Sequence, residues 1–342
     1  MKILQVGPNS VHVSRYINAF QQEGVEHYLL SEEPNTEAKV KEQFVLNVHS
    51  MNPLKFMGYF SVIRQVLTMV KPDVIHVHQV NRMAYFVTKV AAKLGIPVIT
   101  TAWGSDVLLM PQKNKLFRFL VSKTIARSVF VTADATEMIT AVNQLIPSST
   151  KYQWLQYGIE PVESGTKEKI IYSNRLHQPL YRIDAIINYF AAFHSTHPDW
   201  MLHIGATGSE TDALKKQVTA LKLEKHVVFL GWLDDAMNRS EYAKASMYVS
   251  LPSSDGTSVS LMEAMSAGCI PVVSDLPSNR EWIENGENGV IEVEGQNPFG
   301  QALTLNAGNV LERNRVLIEE KATRKASIAK FDALYQQAVN GK

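Results

Sequence analysis

The chain has 342 residues, a length that is typical of two domains at roughly 100–200 residues each. Lys and Arg total 34 against 33 for Asp and Glu, so the net charge of +1 gives no overall reason to expect a nucleic-acid partner. The single cysteine, Cys269, excludes an internal disulfide and a thiolate metal site, and it fits a reducing compartment. The first residues turn polar too early for a signal peptide, and no apolar run of about 18 residues occurs, so we expect a cytoplasmic protein that does not span a membrane.

Short apolar runs alternate with longer amphipathic stretches along the first half of the chain. The runs predict strands at Lys2–Val6, Glu26–Leu30, Gln43–Val48, Val74–His78, Pro97–Thr101, Val129–Thr132 and Tyr152–Gln156. The stretches between them predict helices, such as Val11–Gln22, Pro53–Val70, Arg82–Lys93 and Ala135–Gln144. Alternating strands and helices predict a parallel sheet that is covered by helices on both faces.

The segment Gly158–Lys169 interrupts this alternation and, with its proline, glycine and charges, is typical of a linker. Beyond it the pattern resumes, with strands predicted at Ile170–Asn174, Met201–Ile204, Val227–Leu230, Met247–Ser250, Ile270–Val273 and Val290–Val293. A helical tail follows over Leu311–Gln337. The sequence therefore predicts two doubly wound α/β domains with a ligand cleft between them.

The most informative stretch runs from Leu251 to Val273 and reads Leu-Pro-Ser-Ser-Asp-Gly-Thr-Ser-Val-Ser-Leu-Met-Glu-Ala-Met-Ser-Ala-Gly-Cys-Ile-Pro-Val-Val. A strand should end near Leu251, and a helix should begin near Ser258 and close at Gly268. The N-terminus of such a helix offers free backbone N–H groups and the positive end of a dipole, which favours a phosphate. Glu263 either lies buried there, where its carboxylate would need donors such as a ribose diol, or faces solvent.

This stretch resembles the motif of glycosyltransferase family 4, whose members are retaining GT-B enzymes that use nucleotide diphosphate sugars. The shared pattern is an acidic residue, a glycine, a Glu eight positions after the acid, then Ala-Met, a small residue, Gly and Pro-Val-Val. The resemblance implies that Glu263 binds the donor ribose and that Asp255, which stands where Glu is usual, contacts the transferred sugar. It also implies that the diphosphate is bound by the segment Gly256, Thr257, Ser258 and Val259.

Two arginines extend the resemblance. Arg175 follows the first strand of the second domain, and Arg182, seven residues later, stands where the family usually has Lys. Two fixed cations would stabilise a departing diphosphate, so the resemblance assigns Arg175 and Arg182, with Asp255, to catalysis. Considered alone, the two arginines are more typical of an ordinary protein surface near a loop.

Further glycines match family positions. Gly231 ends a strand whose following backbone would contact the nucleotide base, and Gly7 ends the first strand, where the family has a glycine loop touching phosphate or acceptor. Trp232 either stacks on a base or lies in the interior.

The first domain matches the family less closely. Trp103 stands where many members have His, and because indole cannot exchange a proton as imidazole does, we expect it to form a wall for a sugar. Asp106 is a candidate for contact with the acceptor, with a helix cap as its alternative. Asn9 and His12 complete the residues expected on the acceptor side.

Two histidines, His76 and His78, alternate on one predicted strand and so share one face. They either face the cleft or are satisfied by hydrogen bonds inside the domain. A metal site would need a third ligand that the sequence does not supply, so we expect no metal.

Two amphipathic stretches carry basic residues. In residues 110–127, Lys and Arg alternate with Leu, Phe, Val and Ile, and Pro53–Val70 is rich in aromatic residues. Each either contacts an anionic membrane leaflet or packs on the core with a solvated basic face.

The resemblance thus implies an α/β fold of the GT-B type, with two Rossmann-like domains facing across a cleft. Residues 1–163 would lie on the acceptor side, 168–325 would bind the nucleotide sugar, and a helix at 326–342 would cross back to the first domain. The implied activity is that of a metal-independent, cofactor-free retaining hexosyltransferase acting on a glycan or lipid-linked glycan in surface polysaccharide or glycolipid synthesis. The alternatives are a non-catalytic partner subunit of the same fold and a nucleotide-sugar 2-epimerase.

Overall fold

The structure, a computed structural model, describes residues 1–48, 53–148 and 151–341. The chain divides into two compact units. The first comprises Met1–Tyr157 and the residues from Arg324 onward, and the second comprises Gly158–Thr323. Each unit contains its own sheet and its own apolar core.

The sheet of the first unit consists of parallel strands. These are β1 (Lys2–Val6), β2 (Glu26–Ser31), β3 (Glu42–Val45), β4 (Val74–His78), β5 (Val98–Thr101), β6 (Phe130–Ala133) and β7 (Tyr152–Trp154). Their spatial order is β3-β2-β1-β4-β5-β6-β7, so the order reverses between β1 and β4. Every residue of β4 is buried, as expected for a central parallel strand that is covered on both faces. The loops that follow β1 and β4 meet at this reversal, where such folds place ligands.

Helices cover both faces of this sheet. They are α1 (Val11–Ala19), α2 (Pro53–Val70), α3 (Arg82–Leu94), α4 (Ser105–Leu108), α5 (Met110–Lys113), α6 (Lys115–Arg127) and α7 (Thr136–Leu145). Side-chain caps begin several of them: Asn81 accepts from the amide of Ala84, and Asn114 accepts from the amide of Phe117. Gly95 ends α3 in the left-handed conformation that glycine adopts without strain.

The second unit has the same design. Its parallel strands are β8 (Glu168–Ser173), β9 (Met201–Gly205), β10 (Val227–Gly231), β11 (Ala245–Ser250), β12 (Ile270–Val273) and β13 (Val290–Ile291). Their order is β10-β9-β8-β11-β12-β13, with the reversal between β8 and β11. The helices are α8 (Ile183–His194), α9 (Thr211–Ala220), α10 (Asp235–Lys244), α11 (Val259–Ser266), α12 (Pro277–Arg280), α13 (Pro298–Ala302) and α14 (Ala307–Lys321). Nowhere in the described ranges does a helix combine the length and apolar character needed to cross a bilayer.

The predicted helical tail is two helices rather than one. The chain stops α14 at Lys321 and starts α15 (Arg324–Asn340) three residues later. Between them, the carbonyl of Ala322 accepts from the amide of Ile159 at 2.8 Å, and Thr323 pairs with Ile159 as an isolated bridge. This pairing uses backbone groups that a continuous helix would need for itself.

The last helix, α15, belongs to the core of the first unit. Phe331 and Tyr335 are fully buried there, in the same cluster as Ile17 and Phe20 of the first helical segment. Apolar contact with α1 and β1 therefore holds the C-terminal helix on the first unit.

A directed chain of hydrogen bonds runs through the interior of the first unit. The indole N–H of Trp103 donates to the Tyr157 oxygen at 3.3 Å, and that hydroxyl lies 2.5 Å from Nδ1 of His78. Nε2 of His78 lies 2.7 Å from the amide oxygen of Gln5, so this nitrogen is the donor and the imidazole is neutral. The Gln5 amide nitrogen continues to His27 at 3.1 Å. Each group in this series of hydrogen bonds donates to the next one, and such an ordered series strengthens each bond.

The neighbouring histidine, His76, anchors the last helix. Its Nδ1 lies 2.6 Å from the hydroxyl of Tyr335, and its Nε2 lies 2.7 Å from the hydroxyl of Thr101. Tyr335 in turn bonds to Tyr16 at 2.6 Å. Because His76 and His78 are both fully buried and hydrogen-bonded, the interior alternative for these two residues is confirmed.

The buried histidines should make stability depend on pH. Burial lowers the pKa of His78 to about 3, below the ordinary value of 6.5, so the unfolded chain takes up the proton first as pH falls. Stability is therefore complete above about pH 6.5 and is lost progressively towards pH 3, with about 2 kcal/mol from this residue lost by pH 5. In His78→Gln, urea unfolding between pH 7 and 5 should show a loss that is smaller by about that amount. Parallel curves for the two proteins would contradict this assignment, whatever the absolute stability of the variant.

Candidate active site

The reversal of strand order in the second unit brings two loops together. One follows β8 and begins with Asn174 and Arg175, and the other joins β11 to α11. The second loop is bound from behind, because Ser278 donates to the carbonyl of Asp255 at 3.0 Å and the Trp282 indole donates to Thr257 at 3.1 Å. The loop is thus positioned by contacts on the side away from the strand ends.

No side chain caps the N-terminus of α11, so its first-turn amides are available to a ligand. Ser258 occupies the cap position with extended backbone (φ −74°, ψ 122°), but its hydroxyl makes no capping bond to the first turn. Gly256, Thr257 and Ser258 are buried, and Val259 is half-buried. The first-turn amides and the helix dipole therefore present partial positive charge at the carboxyl edge of the sheet.

Arg175 joins this helix start to the other loop. Its Nη1 donates to the Ser258 hydroxyl at 2.7 Å, and its Nη2 donates to the Asp255 carboxylate at 2.6 Å. The amide of Gly256 also supports that carboxylate. The structure therefore brings Arg175 together with Asp255 and the segment from Gly256 to Val259. In the sequence, about 80 residues separate Arg175 from Asp255.

Both charged groups of this pair are shielded from water. Burial acts to lower the pKa of Arg175, but Asp255 together with Tyr248 and Tyr181 outweighs it, and the pKa of the guanidinium is raised. Burial raises the pKa of Asp255, and Arg175 opposes that rise. Each group thus depends on the other, and Arg175 remains a fixed cation at the strand ends.

Arg182 does not join this cluster. Its two terminal nitrogens donate to the Glu292 carboxylate at 2.8 and 2.9 Å, and Tyr189 donates to the same carboxylate at 2.9 Å. Its backbone is left-handed (φ 51°), which is uncommon for a residue with a side chain. Sequence reasoning missed Glu292, because 110 residues separate it from Arg182 and no motif links them.

The turn between the two arginines is bound to the loop that follows β11. The 3-10 turn Pro179–Tyr181 precedes Arg182, and the carbonyl of Leu180 accepts from the amide of Ser253 at 2.9 Å. This places the Tyr181 ring against the Arg175 guanidinium, 4.4 Å from ring centroid to Cζ. Tyr181 thus provides a cation–π contact that fixes the plane of Arg175.

Glu263 lies buried on α11, with 8% of its surface exposed. Burial, followed by the charge of Glu263, raises the pKa of Tyr242, and burial also raises the pKa of Tyr172. The alternative of a solvent-facing Glu263 is therefore excluded by its position. Its carboxylate therefore lies within electrostatic range of the buried hydroxyls of Tyr242 and Tyr172.

An asparagine ties the tyrosines to the strand that carries Arg175. Asn174 donates to the Tyr242 hydroxyl at 2.8 Å and accepts from the Tyr248 hydroxyl at 3.2 Å. Tyr172 donates to Asn238 at 2.6 Å, and Asn238 also accepts from Asn174. These bonds leave Asn174, the residue before Arg175, with little freedom to move.

The loop after β10 presents an exposed aromatic residue. Gly231 is left-handed (φ 70°), and Trp232 beside it is 71% exposed. The interior alternative for Trp232 is therefore wrong, since the turn at Gly231 directs the next residue outward. An indole exposed to this degree on a strand-end loop is available for stacking.

The residues predicted on the acceptor side follow β1 and β5 in the first unit. Gly7 is buried, and a Cβ there would lie 3.1 Å from the Cβ of His78, so the close approach of β1 and β4 leaves little room for a side chain. Asn9 and His12 are exposed. The rings of His12 and Trp103 meet edge to face, with centroids 5.8 Å apart.

Asp106 holds the loop that carries Trp103. Its carboxylate accepts from the backbone amides of Trp103 at 3.0 Å and of Val80 at 2.7 Å, and it is 3% exposed. Burial raises the pKa of Asp106, and these amides oppose the rise. The cap position of α4 belongs to Gly104, so Asp106 does not act as the N-cap that was considered.

Metal-binding side chains do not converge within the described part of the chain: no three His, Cys, Asp or Glu residues lie in a group that could hold an ion. Cys269 is buried, which raises the pKa of its thiol to about 11.

Two family models match the chain. That of the group 1 glycosyl transferases matches residues 159–306, and that of the glycosyl transferase 4-like proteins matches residues 2–135. Together they cover most of both units. The chain therefore belongs to the family 4 type of glycosyltransferases, and the family predicted from the motif between Asp255 and Glu263 is confirmed.

Curated relatives are more distant. The phosphatidyl-myo-inositol mannosyltransferase of Mycolicibacterium smegmatis is 26% identical over 68% of this chain and 61% of its own length. The poly(glycerol-phosphate) alpha-glucosyltransferase of Bacillus subtilis is 33% identical over 31% of this chain and 16% of its own length. The chain thus spans less than two thirds of the length of either protein.

The fold resembles that of a solved structure. HepE of Anabaena, in complex with UDP and glucose, is similar with a TM-score of 0.82 at 14% identity, covering 98% of this chain and 100% of HepE. At that identity the likeness shows the fold alone. With the two parallel sheets, it confirms the predicted α/β fold of the GT-B type, built from two Rossmann-like domains.

Two replacements of Arg182 separate its backbone from its side chain. Arg182→Gly and Arg182→Ala both lose the contact with Glu292, but only glycine adopts the left-handed backbone freely. Urea unfolding should therefore show Arg182→Gly to be more stable than Arg182→Ala by about 1 kcal/mol. If the guanidinium serves Glu292 alone, UDP binding by Arg182→Gly should stay close to that of the unmodified protein. A tenfold or larger loss of UDP affinity would instead support the sequence prediction that Arg182 contacts the diphosphate.

Proposed function

We propose that this chain is a retaining glycosyltransferase that moves a hexose from a nucleotide diphosphate sugar onto a glycan or a lipid-linked glycan, in surface polysaccharide or glycolipid synthesis. The observation that carries the proposal is the contact between Arg175 and Ser258 at the uncapped start of α11. A buried cation beside free helix amides matches the charge and geometry of a diphosphate. Membership of the family points the same way.

The donor would lie at the strand ends of the second unit. Amides of Thr257, Ser258 and Val259, approached closely through Gly256, would donate to the diphosphate. Glu263 would accept from the hydroxyls of the ribose, and Asp255 would contact hydroxyls of the transferred sugar while it orients Arg175. Gly231 would let the backbone approach the base.

Arg175 is proposed to stabilise the transition state. As the bond between the anomeric carbon and the phosphate oxygen breaks, negative charge builds on the diphosphate. Because Asp255 and Ser258 already orient Arg175, its response to that charge needs no reorganisation. The departing phosphate oxygen would take the proton of the acceptor hydroxyl, which attacks the same face of the sugar and so retains the configuration. No side-chain base is then needed where Trp103 stands.

We propose that the reaction needs neither a metal ion nor a cofactor. Arg175 and the dipole of α11 would together offset the charge that a divalent cation offsets in other sugar transferases. Arg182, predicted as a second cation, is engaged by Glu292, so the proposal assigns this task to Arg175 and the helix.

UDP is the first nucleotide to test. HepE of Anabaena has been solved with UDP, with UDP and glucose, and with UDP-glucose. Those ligands belong to HepE, and its fold is shared by this chain. We therefore start from the hypothesis that a uridine nucleotide binds beside Glu263. The exposed Trp232, which follows Gly231 in the sequence, would be available to stack on its base.

The acceptor would bind to the first unit. The half-buried Trp103 and the exposed His12 form an aromatic pair on which a sugar ring could stack. Asn9 would supply hydrogen bonds, and Asp106 would hold Trp103 in place. The Mycolicibacterium relative is named for a lipid acceptor, which supports testing a lipid-linked glycan. Such an acceptor would bring the chain to the cytoplasmic face of a membrane as a peripheral protein.

Glu263 tests the position of the donor. Glu263→Ala and Glu263→Gln should each weaken UDP binding at least tenfold, because the ribose hydroxyls lose a charged acceptor. Isothermal calorimetry with EDTA present measures this directly, with Glu284→Ala as a control on an exposed carboxylate. Unchanged UDP affinity in both Glu263 variants would place the ribose elsewhere, and no nucleotide binding by the unmodified protein would favour the non-catalytic partner.

Arg175 tests the chemistry. Arg175→Ala should lower kcat by roughly 10²–10³-fold, because a preorganised charge at the leaving group is lost. Product formation is measured with UDP-glucose and a lipid-linked or free glycan acceptor. Arg280→Ala, which breaks the exposed pair with Asp275, should keep full activity. An unaltered kcat in Arg175→Ala would move the phosphate site away from this residue.

A further inference from the structure

Charge is distributed unevenly along the first unit. Between Pro53 and Arg127 the chain has eleven Lys or Arg residues and only two acidic ones, although the whole chain has a net charge of +1. The two acids face inward: Asp73 accepts from the amide of Lys2, and Asp106 is buried on backbone amides. The helices α2, α3 and α6 therefore contribute cations to the surface and no acidic side chain of their own.

Two adjoining hollows lie on this surface. A groove of about 560 Å³ between α2 and α3 is bordered by Arg64, Lys89 and Lys93. A smaller apolar hollow of about 140 Å³ extends it towards α6, and Phe60 and Lys89 line both. In the described ranges no carboxylate pairs with the three cations of the groove. We call the three helices' surface, with both hollows, the α2–α3–α6 face.

Large apolar side chains project from the same face. Met57 is 75% exposed, Leu116 is 50% exposed and Phe119 is 47% exposed, and the last two line the smaller hollow. Burying these groups would remove apolar surface from water. The Lys89 ammonium lies 4.8 Å from the ring of Phe60, so cations and aromatic rings are interleaved rather than separated.

We propose that the α2–α3–α6 face binds the surface of a bilayer that contains anionic phospholipid. Arg64, Lys89 and Lys93 would bind the phosphates of the headgroups, and Met57, Leu116 and Phe119 would enter the boundary between headgroups and acyl chains. Charge complementarity favours this occupant over an ordinary protein surface, because the three helices contribute cations and no acidic side chain of their own. This face would be the site of the membrane contact that the proposed function includes. Binding to the bilayer would not itself require catalytic activity.

Vesicle co-sedimentation of the full chain tests the proposal. The protein should bind vesicles of phosphatidylcholine with one third phosphatidylglycerol, and should not bind vesicles of phosphatidylcholine alone. Raising the salt from about 0.1 to 0.5 M should weaken binding, because salt screens exposed charges. The triple variant Arg64→Glu/Lys89→Glu/Lys93→Glu should bind at least about tenfold more weakly.

A matched variant controls for net charge. Lys216→Glu/Lys222→Glu/Lys225→Glu changes three exposed lysines of the second unit by the same amount and should retain vesicle binding. The variant Met57→Ser/Leu116→Ser/Phe119→Ser should lose binding although all cations remain. UDP affinity, measured on the same samples, should be unchanged in all three, which shows that they are folded and keeps this test separate from that of the donor site.

Three outcomes would overturn the proposal. These are failure of the unmodified protein to bind anionic vesicles, equal losses in the two charge-reversal variants, or full binding by the serine variant. If the protein fails to bind vesicles but forms a dimer that the groove variants abolish, the face is instead an interface between copies of this chain. Loss of UDP binding alone would count against the proposed function and not against the membrane contact.

Discussion

The contact between Arg175 and Asp255 is the interaction on which the site of the second unit depends. It joins the ends of β8 and β11 at the point where the strand order reverses, and it lies largely out of water. A buried ion pair gives little net stability, but loss of one partner leaves the other charged and unsolvated. Loss of Arg175 would therefore leave the Asp255 carboxylate without its counterion, although Ser278 and Trp282 would still hold the loop before α11. A diphosphate could bind without breaking this pair. It would accept hydrogen bonds from the helix amides and would bring a second negative charge, besides that of Asp255, close to Arg175.

Both units place polar groups at a reversal of strand order, but they use different chemistry. The second unit has charges: Arg175, Asp255 and Glu263. The first unit has a neutral chain of hydrogen bonds from Trp103 through Tyr157 to His78. A neutral network can be buried without counterions, provided that each donor meets an acceptor. This difference suits the proposed division of work, since a diphosphate needs positive charge whereas a sugar acceptor needs a rigid aromatic surface and hydrogen bonds.

The sequence predicts most of the fold, because the elements are local. Alternating apolar runs identified every strand of both sheets, with differences at the ends such as Gln43–Val48 against β3 (Glu42–Val45). The break between α14 and α15 was missed, since it depends on pairing with Ile159, far away in the chain. In the site, Asp255, Ser258 and Glu263 follow one another through one loop and α11, so their spacing in the sequence is enough to place them near one another. The contact of Arg182 with Glu292 could not be predicted, because this partner and the left-handed backbone are set by tertiary contacts that leave no local pattern.

Averages over the chain conceal the features that matter most for partners. A net charge of +1 gives no overall reason to expect a polyanionic partner, yet α2, α3 and α6 carry a surplus of cations that acidic residues elsewhere cancel. The cancellation is arithmetic and not physical, because at ordinary ionic strength charges more than about 10 Å apart are largely screened from one another. Each surface therefore acts with its own local charge. The first unit has a basic face with Met57 and Phe119 exposed, and the second unit has a cation at its strand ends. These two surfaces can then attract different anionic partners, although the chain as a whole is nearly neutral.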